Sequence, residues 1–219
     1  MSIEMSDAVI VDDNPTLLIV LAEIFKQRGY SVRTASDGFS ALALLRDRVP
    51  DVLISDLNMP GMSGYELLSV VRRRFPAIAV IAMSGAYHST EVPHGVAADA
   101  FHAKGSATVG CLFEILHAID EPAQRQAKRS VAPIWIPGQP VYQCDVMTAS
   151  VACPECLRTF VHPLPDAHQA AEESHCPHCM SRVRLAIVPE PEEMDHTALT
   201  MSAPARFVSK QVVASCIDT

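Results

Sequence analysis

The sequence lacks the segments that would carry a protein into or through a membrane. No apolar run approaches the roughly 18 residues that a membrane-spanning helix needs. The N-terminal stretch MSIEMSDAVIVDDN is acidic and has no basic region followed by an apolar one, so it does not resemble a secretory signal. These two absences predict a cytoplasmic protein.

Positive charge is also scarce. The 219 residues include 17 Lys and Arg against 25 Asp and Glu, a formal net charge of -8 at pH 7. Because affinity for nucleic acids and anionic lipids depends on clustered cations, this balance argues against a general nucleic-acid-binding or membrane-binding protein. The apolar share of 49% is large enough for a core, and the length suits one ordinary domain plus a smaller unit.

Residues 8–121 alternate short apolar runs with segments of helical period. The apolar runs predict strands over 8–11, 31–35, 51–55, 77–84 and 99–104. The periodic segments predict helices over 15–29, 39–48, 63–75 and 108–120. Such alternation predicts an α/β fold with a doubly wound, five-stranded parallel sheet, because each right-handed crossover lays its helix back on the sheet.

One crossover of this pattern is weak. Pro93 and Gly95 lie within residues 88–99, where a helix would connect the fourth and fifth strands. Both residue types disfavour a helix interior, so this connection is predicted to be short or irregular.

Polar residues stand where several of the apolar runs end: Asp12, Asp13, Asp56, Ser84 and Lys104. Each of them alone is more simply explained as a helix cap or a loop residue. Together they form a pattern, because ligands of an open parallel sheet bind outside the carboxyl ends of its strands. Three converging carboxylates would repel one another, and Mg²⁺ would relieve that repulsion. A lysine and a hydroxyl beside them suit a phosphoryl group.

The same residues carry a resemblance to a known family. VDDN at 11–14, SDLNMPGMSGYEL at 55–67, MSG at 83–85 and FHAKG at 101–105 resemble, in order and spacing, the signature of response-regulator receiver domains. The likeness covers about residues 7–121 and implies a flavodoxin-like fold.

The resemblance implies that Asp56 accepts a phosphoryl group from a histidine kinase or a phosphotransfer protein. Asp13 and Asp56 would bind Mg²⁺ together with the backbone carbonyl of Asn58, and Asp12 would act mainly through water. Such a domain catalyses only its own phosphotransfer and dephosphorylation, and it is not otherwise an enzyme.

The resemblance also implies which residues respond to phosphorylation. Lys104 would pair with the phosphoryl group, Ser84 would hydrogen-bond to it, and Phe101 matches an aromatic switch position that turns inward. Two departures stand out: Gly105 follows the lysine where the family usually has Pro, and the irregular crossover belongs to the face used for dimerisation or partner docking. We expect intact chemistry with an unusual output surface. A phosphorylation-dependent dimer stays open, as does a degenerate receiver that is never phosphorylated.

The character of the sequence changes after Glu121. We predict a receiver domain over 1–121, a linker or an edge segment of the following unit over 122–148, and a small cysteine-bearing domain over 149–188. Residues 189–219 open acidic and rich in proline, which predicts a disordered tail.

Four of the seven cysteines form two C-x-x-C pairs: Cys153 with Cys156, and Cys176 with Cys179. In a chain without a secretory signal this spacing indicates a structural Zn²⁺ site, because two tight turns aim four thiolates at one tetrahedral centre. A unit this small has little core, so the metal would supply much of its stability. A dithiol redox pair and free thiols are the alternatives. The unit resembles a zinc ribbon, with strands predicted near 148–152, 158–162 and 182–188.

Electrostatics favours a protein as the partner of this unit. Four thiolates around one Zn²⁺ carry net negative charge, and the basic residues between Cys153 and Pro189 are only Arg158, Arg182 and Arg184. We therefore predict a two-component response regulator with a zinc-ribbon output module that binds protein. The competing prediction is a transcription regulator whose ribbon contacts DNA or RNA polymerase, although no helix-turn-helix pattern follows residue 121.

Overall fold

The structure is a computed structural model of the chain. It describes residues 6–86, 92–93, 96–105, 108–119, 133–137, 141–143, 146–163 and 172–188. Five of its strands form one sheet: β1 (Asp7–Val11), β2 (Ser31–Ala35), β3 (Val52–Asp56), β4 (Ala79–Ser84) and β5 (Ala100–Ala103). Their order is β2-β1-β3-β4-β5 and every pairing is parallel. This confirms the predicted doubly wound α/β fold.

Helices cover both faces of the sheet: α1 (Pro15–Gln27), α2 (Gly38–Asp47), α3 (Gly64–Arg74) and α4 (Val109–Ala118). Buried side chains of α1 and α4 form one apolar cluster with one face of the strands, and those of α2 and α3 form a second cluster with the other face. Three of the helices begin at a side chain that caps them: Asn14, Asp37 and Ser63 each accept a hydrogen bond from a first-turn backbone N–H.

The crossover between β4 and β5 is irregular wherever the structure describes it. Residues 85–86, 92–93 and 96–99 contain no helix, in agreement with the prediction from Pro93. Asp99 fixes the end of this crossover: its carboxylate accepts a hydrogen bond from Val80 N at 2.8 Å and pairs with Arg72 Nη2 of α3 at 2.8 Å.

Six further strands follow: β6 (Ile134–Pro137), β7 (Val141–Gln143), β8 (Val146–Ala152), β9 (Thr159–Pro163), β10 (Glu172–His175) and β11 (Arg182–Val188). They form two three-stranded sheets, ordered β10-β11-β6 and β7-β8-β9. The pairings are antiparallel except that of β6 with β11. The three strands predicted for the cysteine-bearing unit correspond to β8, β9 and β11.

The segment 122–148 differs from a plain linker over its described residues. It contains β6 and β7, and β8 begins within it. Ile134 and Ile136 are buried on one side of β6, while Trp135 between them points to the other side. This alternation suits an edge strand, and β6 pairs with β11 at the edge of its sheet. The predicted alternative, an edge segment of the following unit, therefore describes β6. Residues 120–132 and the predicted tail at 189–219 lie outside the described residues.

No helix within the described part of the chain is both long and apolar enough to cross a membrane.

Candidate functional site

Three carboxylates meet at the carboxyl edge of the parallel sheet. Asp12 directly follows β1, and Asp56 is the last residue of β3. Asp12 is fully buried, Asp56 is 5% exposed, and Asp13 lies at the surface. One ligand oxygen from each of the three lies within 4.8 Å of the other two. The acidic cluster predicted from the strand ends therefore forms, because β1 and β3 are neighbours in the sheet.

Lys104 joins two of these carboxylates. Its Nζ lies 2.6 Å from Asp12 Oδ2 and 2.9 Å from Asp56 Oδ1. The residue directly follows β5, and its backbone N–H donates to the Ser84 carbonyl at 2.8 Å, which extends the pairing of β5 with β4 to the lysine itself. The pairing of β5 with β4 thus positions the Lys104 ammonium group next to the carboxylates of Asp12 and Asp56.

The electrostatics leave an excess of negative charge. Burial raises the pKa of the Asp56 carboxyl and the charge of Asp12 adds to this effect, while the hydrogen bond and charge of Lys104 act against it. Burial alone would lower the pKa of Lys104, but its hydrogen bonds and charge pairing with Asp12 and Asp56 together raise that pKa. One ammonium group does not compensate three acids, so the site suits a further cation with a preference for oxygen ligands, such as Mg²⁺.

The predicted hydroxyl and aromatic residues lie on β4 and β5, the strands that continue the sheet beyond β3. Ser84 is buried at the end of β4, and its Oγ accepts hydrogen bonds from Ala86 N at 3.1 Å and Asn58 Nδ2 at 3.4 Å. Phe101 is buried in β5, opposite Ala82, within the apolar cluster on the α2 and α3 side. Its ring therefore occupies the inward position in this structure.

The loop after Asp56 needs a glycine where α3 begins. Gly64 N donates to Leu57 O at 2.9 Å, and a Cβ atom at position 64 would lie 2.0 Å from the backbone oxygen of Asp56. Gly61 has a φ of +77°, a conformation that side-chain-bearing residues rarely adopt. The first turn of α3 thus packs directly against the backbone of the acid that would be phosphorylated.

Comparison with known proteins agrees with this geometry. Residues 8–103 match the family described as the response regulator receiver domain. This segment of the chain is a receiver domain. The chain is 38% identical over 81 residues to the nitrogen assimilation regulatory protein NtrX of Azorhizobium caulinodans. This alignment covers 36% of this chain and 18% of NtrX. It is 36% identical over 76 residues to the sensor histidine kinase RcsC of Salmonella typhimurium, and this alignment covers 35% of this chain and 8% of RcsC.

Among solved structures, the chemotaxis response regulator CheY4 of Vibrio cholerae aligns with a TM-score of 0.48 and 29% sequence identity. That alignment covers 52% of this chain and 97% of CheY4. The chain spans less than a fifth of the length of NtrX and of RcsC, so what it shares with each of them is the receiver domain.

The four predicted zinc ligands converge outside the receiver domain. The Sγ atoms of Cys153, Cys156, Cys176 and Cys179 lie within 4.8 Å of one another. The Sγ–Sγ distance is 3.6 Å between Cys153 and Cys179 and 3.7 Å between Cys156 and Cys176. A tetrahedral centre with Zn–S bonds of about 2.3 Å requires sulfurs about 3.8 Å apart, so the donor set fits zinc in both chemistry and spacing.

Two turns of the same shape present these sulfurs. Leu157 N donates to Cys153 O at 2.8 Å, and Met180 N donates to Cys176 O at 2.8 Å. Leu157 and Met180 both have positive φ, at 57° and 60°, and each stands four residues after the first cysteine of its pair. The left-handed backbone conformation is unfavourable for a residue with a side chain. Because it occurs at the equivalent position of both turns, the two turns have the same backbone structure.

The thiols of the cluster are electrostatically unequal. Burial raises the pKa of Cys153 to about 12, whereas hydrogen bonding to Ser181 lowers the pKa of Cys179, at the surface, to about 6. A divalent metal would equalise them, because a coordinated thiol is deprotonated irrespective of burial.

One buried acid was not anticipated from the sequence. Glu66 of α3 is 2% exposed, and burial raises its pKa to about 7. Its Oε1 accepts a hydrogen bond at 2.7 Å from the N–H of Ala152, the residue directly before Cys153 of the cysteine cluster. The available signal was the spacing of Glu66, Ser69 and Arg73, which puts three polar residues on one face of α3.

Proposed function

We propose that the chain is a response regulator of a two-component system, in which Asp56 accepts a phosphoryl group from a histidine kinase or a phosphotransfer protein. The observation that carries the proposal is the cluster of Asp12, Asp13 and Asp56 with Lys104 bridging two of them. A receiver segment that also occurs in a sensor histidine kinase supports a kinase as the phosphate source.

In the proposed reaction an Asp56 carboxylate oxygen attacks the phosphorus of a phosphohistidine. The new P–O bond forms as the P–N bond breaks, and the imidazole leaves. Lys104, whose Nζ is 2.9 Å from Asp56 Oδ1, orients the carboxylate and stabilises the negative charge of the transferring oxygens. Asp12, Asp13, Asp56 and the backbone carbonyl of Asn58 would hold Mg²⁺, which supplies further positive charge when bound.

The proposed switch uses Ser84 and Phe101. The Ser84 hydroxyl would exchange its contacts with Ala86 N and Asn58 Nδ2 for a hydrogen bond to the phosphoryl group. Movement of β4 at this point would favour the inward position of Phe101, which is the position it has here.

For the cysteine centre we propose structural zinc and a role in binding another protein. Four cysteine ligands leave no open position for a reacting molecule. Met180 is 70% exposed in the second cysteine turn and Val161 is 62% exposed on β9, which supports an apolar protein contact. We place the whole protein in the cytoplasm. Salt-dependent binding of the protein to DNA would favour the competing role in transcription.

One preparation can test both parts of the proposal. Incubation with acetyl phosphate and Mg²⁺ should add a single phosphoryl group to the wild type, measured by intact mass, and none to Asp56→Ala. Asp47→Ala, which removes an exposed acid at the end of α2, is the matched control and should be phosphorylated normally. Elemental analysis should find about one zinc per chain. An unphosphorylated wild type would contradict the receiver chemistry, and a zinc-free protein with reactive native thiols would favour the redox alternative.

A further inference from the structure

Helix α3 carries a polar stripe made of Glu66, Ser69 and Arg73. Their spacing of three and four residues places the side chains on one face of the helix, where an amphipathic helix normally meets water. Here that face does not meet water in its first two turns: Glu66 and Ser69 are both buried. The strands that cover it belong to the two sheets formed by β6 to β11, which we call the C-terminal unit.

Each residue of the stripe binds a backbone group on a different strand of that unit. Glu66 Oε1 accepts from Ala152 N of β8 at 2.7 Å, and Ser69 Oγ accepts from Trp135 N of β6 at 3.2 Å. Arg73 Nη2 donates to the carbonyl of Arg182 at the start of β11, at 3.3 Å. The three contacts reach both sheets of the C-terminal unit, so they fix its orientation on the helix as well as its position.

Apolar packing surrounds these polar contacts. Ile134, Val151 and Leu185 of the C-terminal unit are buried in the same apolar cluster as Leu67 and Val70 of α3. Burying a carboxylate is costly unless it is hydrogen-bonded, and the partner that satisfies Glu66 comes from β8. The stripe is therefore chemically matched to the two backbone N–H groups and the one carbonyl that this unit presents to it.

The stripe lies between the two candidate sites. Its helix begins at Gly64, which touches the backbone of Asp56, and Glu66 follows two residues later. The partner of Glu66, Ala152, directly precedes Cys153 of the metal centre. The acid that would be phosphorylated is thus connected to the first cysteine ligand by the contact with Gly64, two residues of α3, the Glu66–Ala152 hydrogen bond and one peptide bond.

We propose that the Glu66–Ser69–Arg73 stripe is a docking site on the receiver domain for the C-terminal unit, through which the state of Asp56 reaches the cysteine centre. The docking follows from the contacts alone, whereas its response to phosphorylation rests on the proposed function. The receiver would then act through α3, which is covered by the C-terminal unit of the same chain.

Docking can be tested on the full chain with a specific protease site inserted between residues 121 and 132. After cleavage the two pieces of the wild type should co-elute in gel filtration, with zinc and phosphorylation retained. Pieces that separate while both keep these properties would overturn the proposal. Glu66→Arg combined with Ser69→Ala should separate the pieces, and the matched control Glu23→Arg, an exposed acid of α1, should not. A stripe variant whose pieces still co-elute would also overturn the proposal.

A milder variant tests the contact without risking the fold. In the uncleaved chain, Ser69→Ala should speed hydrogen exchange of the Trp135 amide about fivefold, the factor that corresponds to losing one hydrogen bond of about 1 kcal/mol. Exchange of that amide at the wild-type rate would overturn the role of Ser69 in docking.

The link to Asp56 has its own measurement. Acetyl phosphate should change the exchange of the Ala152 and Trp135 amides in the wild type and not in Asp56→Ala. Unchanged exchange in a protein shown by mass to be phosphorylated would overturn the link. Failure of phosphorylation itself would overturn the proposed function and leave the docking to be judged by the cleavage experiment.

Discussion

Glu66→Gln should stabilise the protein at neutral and alkaline pH. The carboxyl of Glu66 is buried, accepts a hydrogen bond from Ala152 N, and takes part in none of the ion pairs formed among the described residues. Burial raises its pKa from 4.5 to about 7. Glutamine has nearly the same shape and can accept the same hydrogen bond, but it never has to be ionised in the interior.

The magnitude follows from proton linkage. Because the pKa of Glu66 is higher in the folded than in the unfolded protein, the folded state binds the proton more tightly. Its contribution to stability is intact below about pH 4.5 and is lost as the pH rises through about 7. Full ionisation costs about 3 kcal/mol of unfolding free energy, and about 1 kcal/mol of that loss falls between pH 6 and pH 8.

The assay is urea unfolding of the full chain at pH 6, 7 and 8. Trp135, the single tryptophan of the chain, lies in β6 against α3, so its fluorescence reports on the region around Glu66. The stability of Glu66→Gln relative to wild type should increase by about 1 kcal/mol from pH 6 to pH 8. A difference that stays constant over this range, or one that decreases, would refute the reasoning.

Two further substitutions test the receiver site. Gly64→Ala should lower stability by about 1–3 kcal/mol and slow phosphorylation, because the new Cβ would lie 2.0 Å from the Asp56 backbone oxygen. Gly85→Ala, whose Cβ would meet no atom within 4 Å, should keep wild-type stability in the same urea titration. Lys104→Met should abolish phosphorylation and raise the pKa of Asp56 further, since the hydrogen bond and charge of the lysine both lower that pKa. Carboxyl NMR of the Asp56 titration measures that shift, and Lys26→Met, on the exposed side of α1, should leave it unchanged.

The sheet and the acidic site were predictable because local sequence determines them. The predicted strands at 8–11 and 51–55 have the apolar segments AVIV and VLI, as expected of strands buried on both faces, and the structure buries every residue of β1 and β3. A parallel sheet then brings the strand ends to one edge, which is why Asp12 and Asp56 could be paired without any contact information. The position of Lys104 beside these acids was predictable for the same reason, because the lysine directly follows β5.

The docking of the C-terminal unit was not predictable in the same way. Ser63 and Glu66 have the spacing of a helix capping box, so Glu66 has a sufficient local explanation in the sequence. In the structure Ser63 does accept from Glu66 N, but the Glu66 side chain accepts from Ala152, 86 residues away. Likewise the parallel pairing of β6 with β11 joins segments about 50 residues apart, and residues 134–137 have no local feature that indicates a partner.

The buried carboxylate also bears on how the docking could be regulated. A glutamine at position 66 would accept the same hydrogen bond from Ala152 N without the cost of ionisation, and a permanently fixed interface would be served better by it. A contact responds to a signal only if its free energy is comparable with the coupling that the signal provides, which is typically 1–3 kcal/mol. Ionisation of Glu66 removes a similar amount of stability at neutral pH, and Glu66 lies two residues after Gly64, which packs against the Asp56 backbone. We infer that Glu66 weakens the docking into the range that phosphorylation can shift, so that Glu66→Gln should reduce the effect of acetyl phosphate on the exchange of the Ala152 amide.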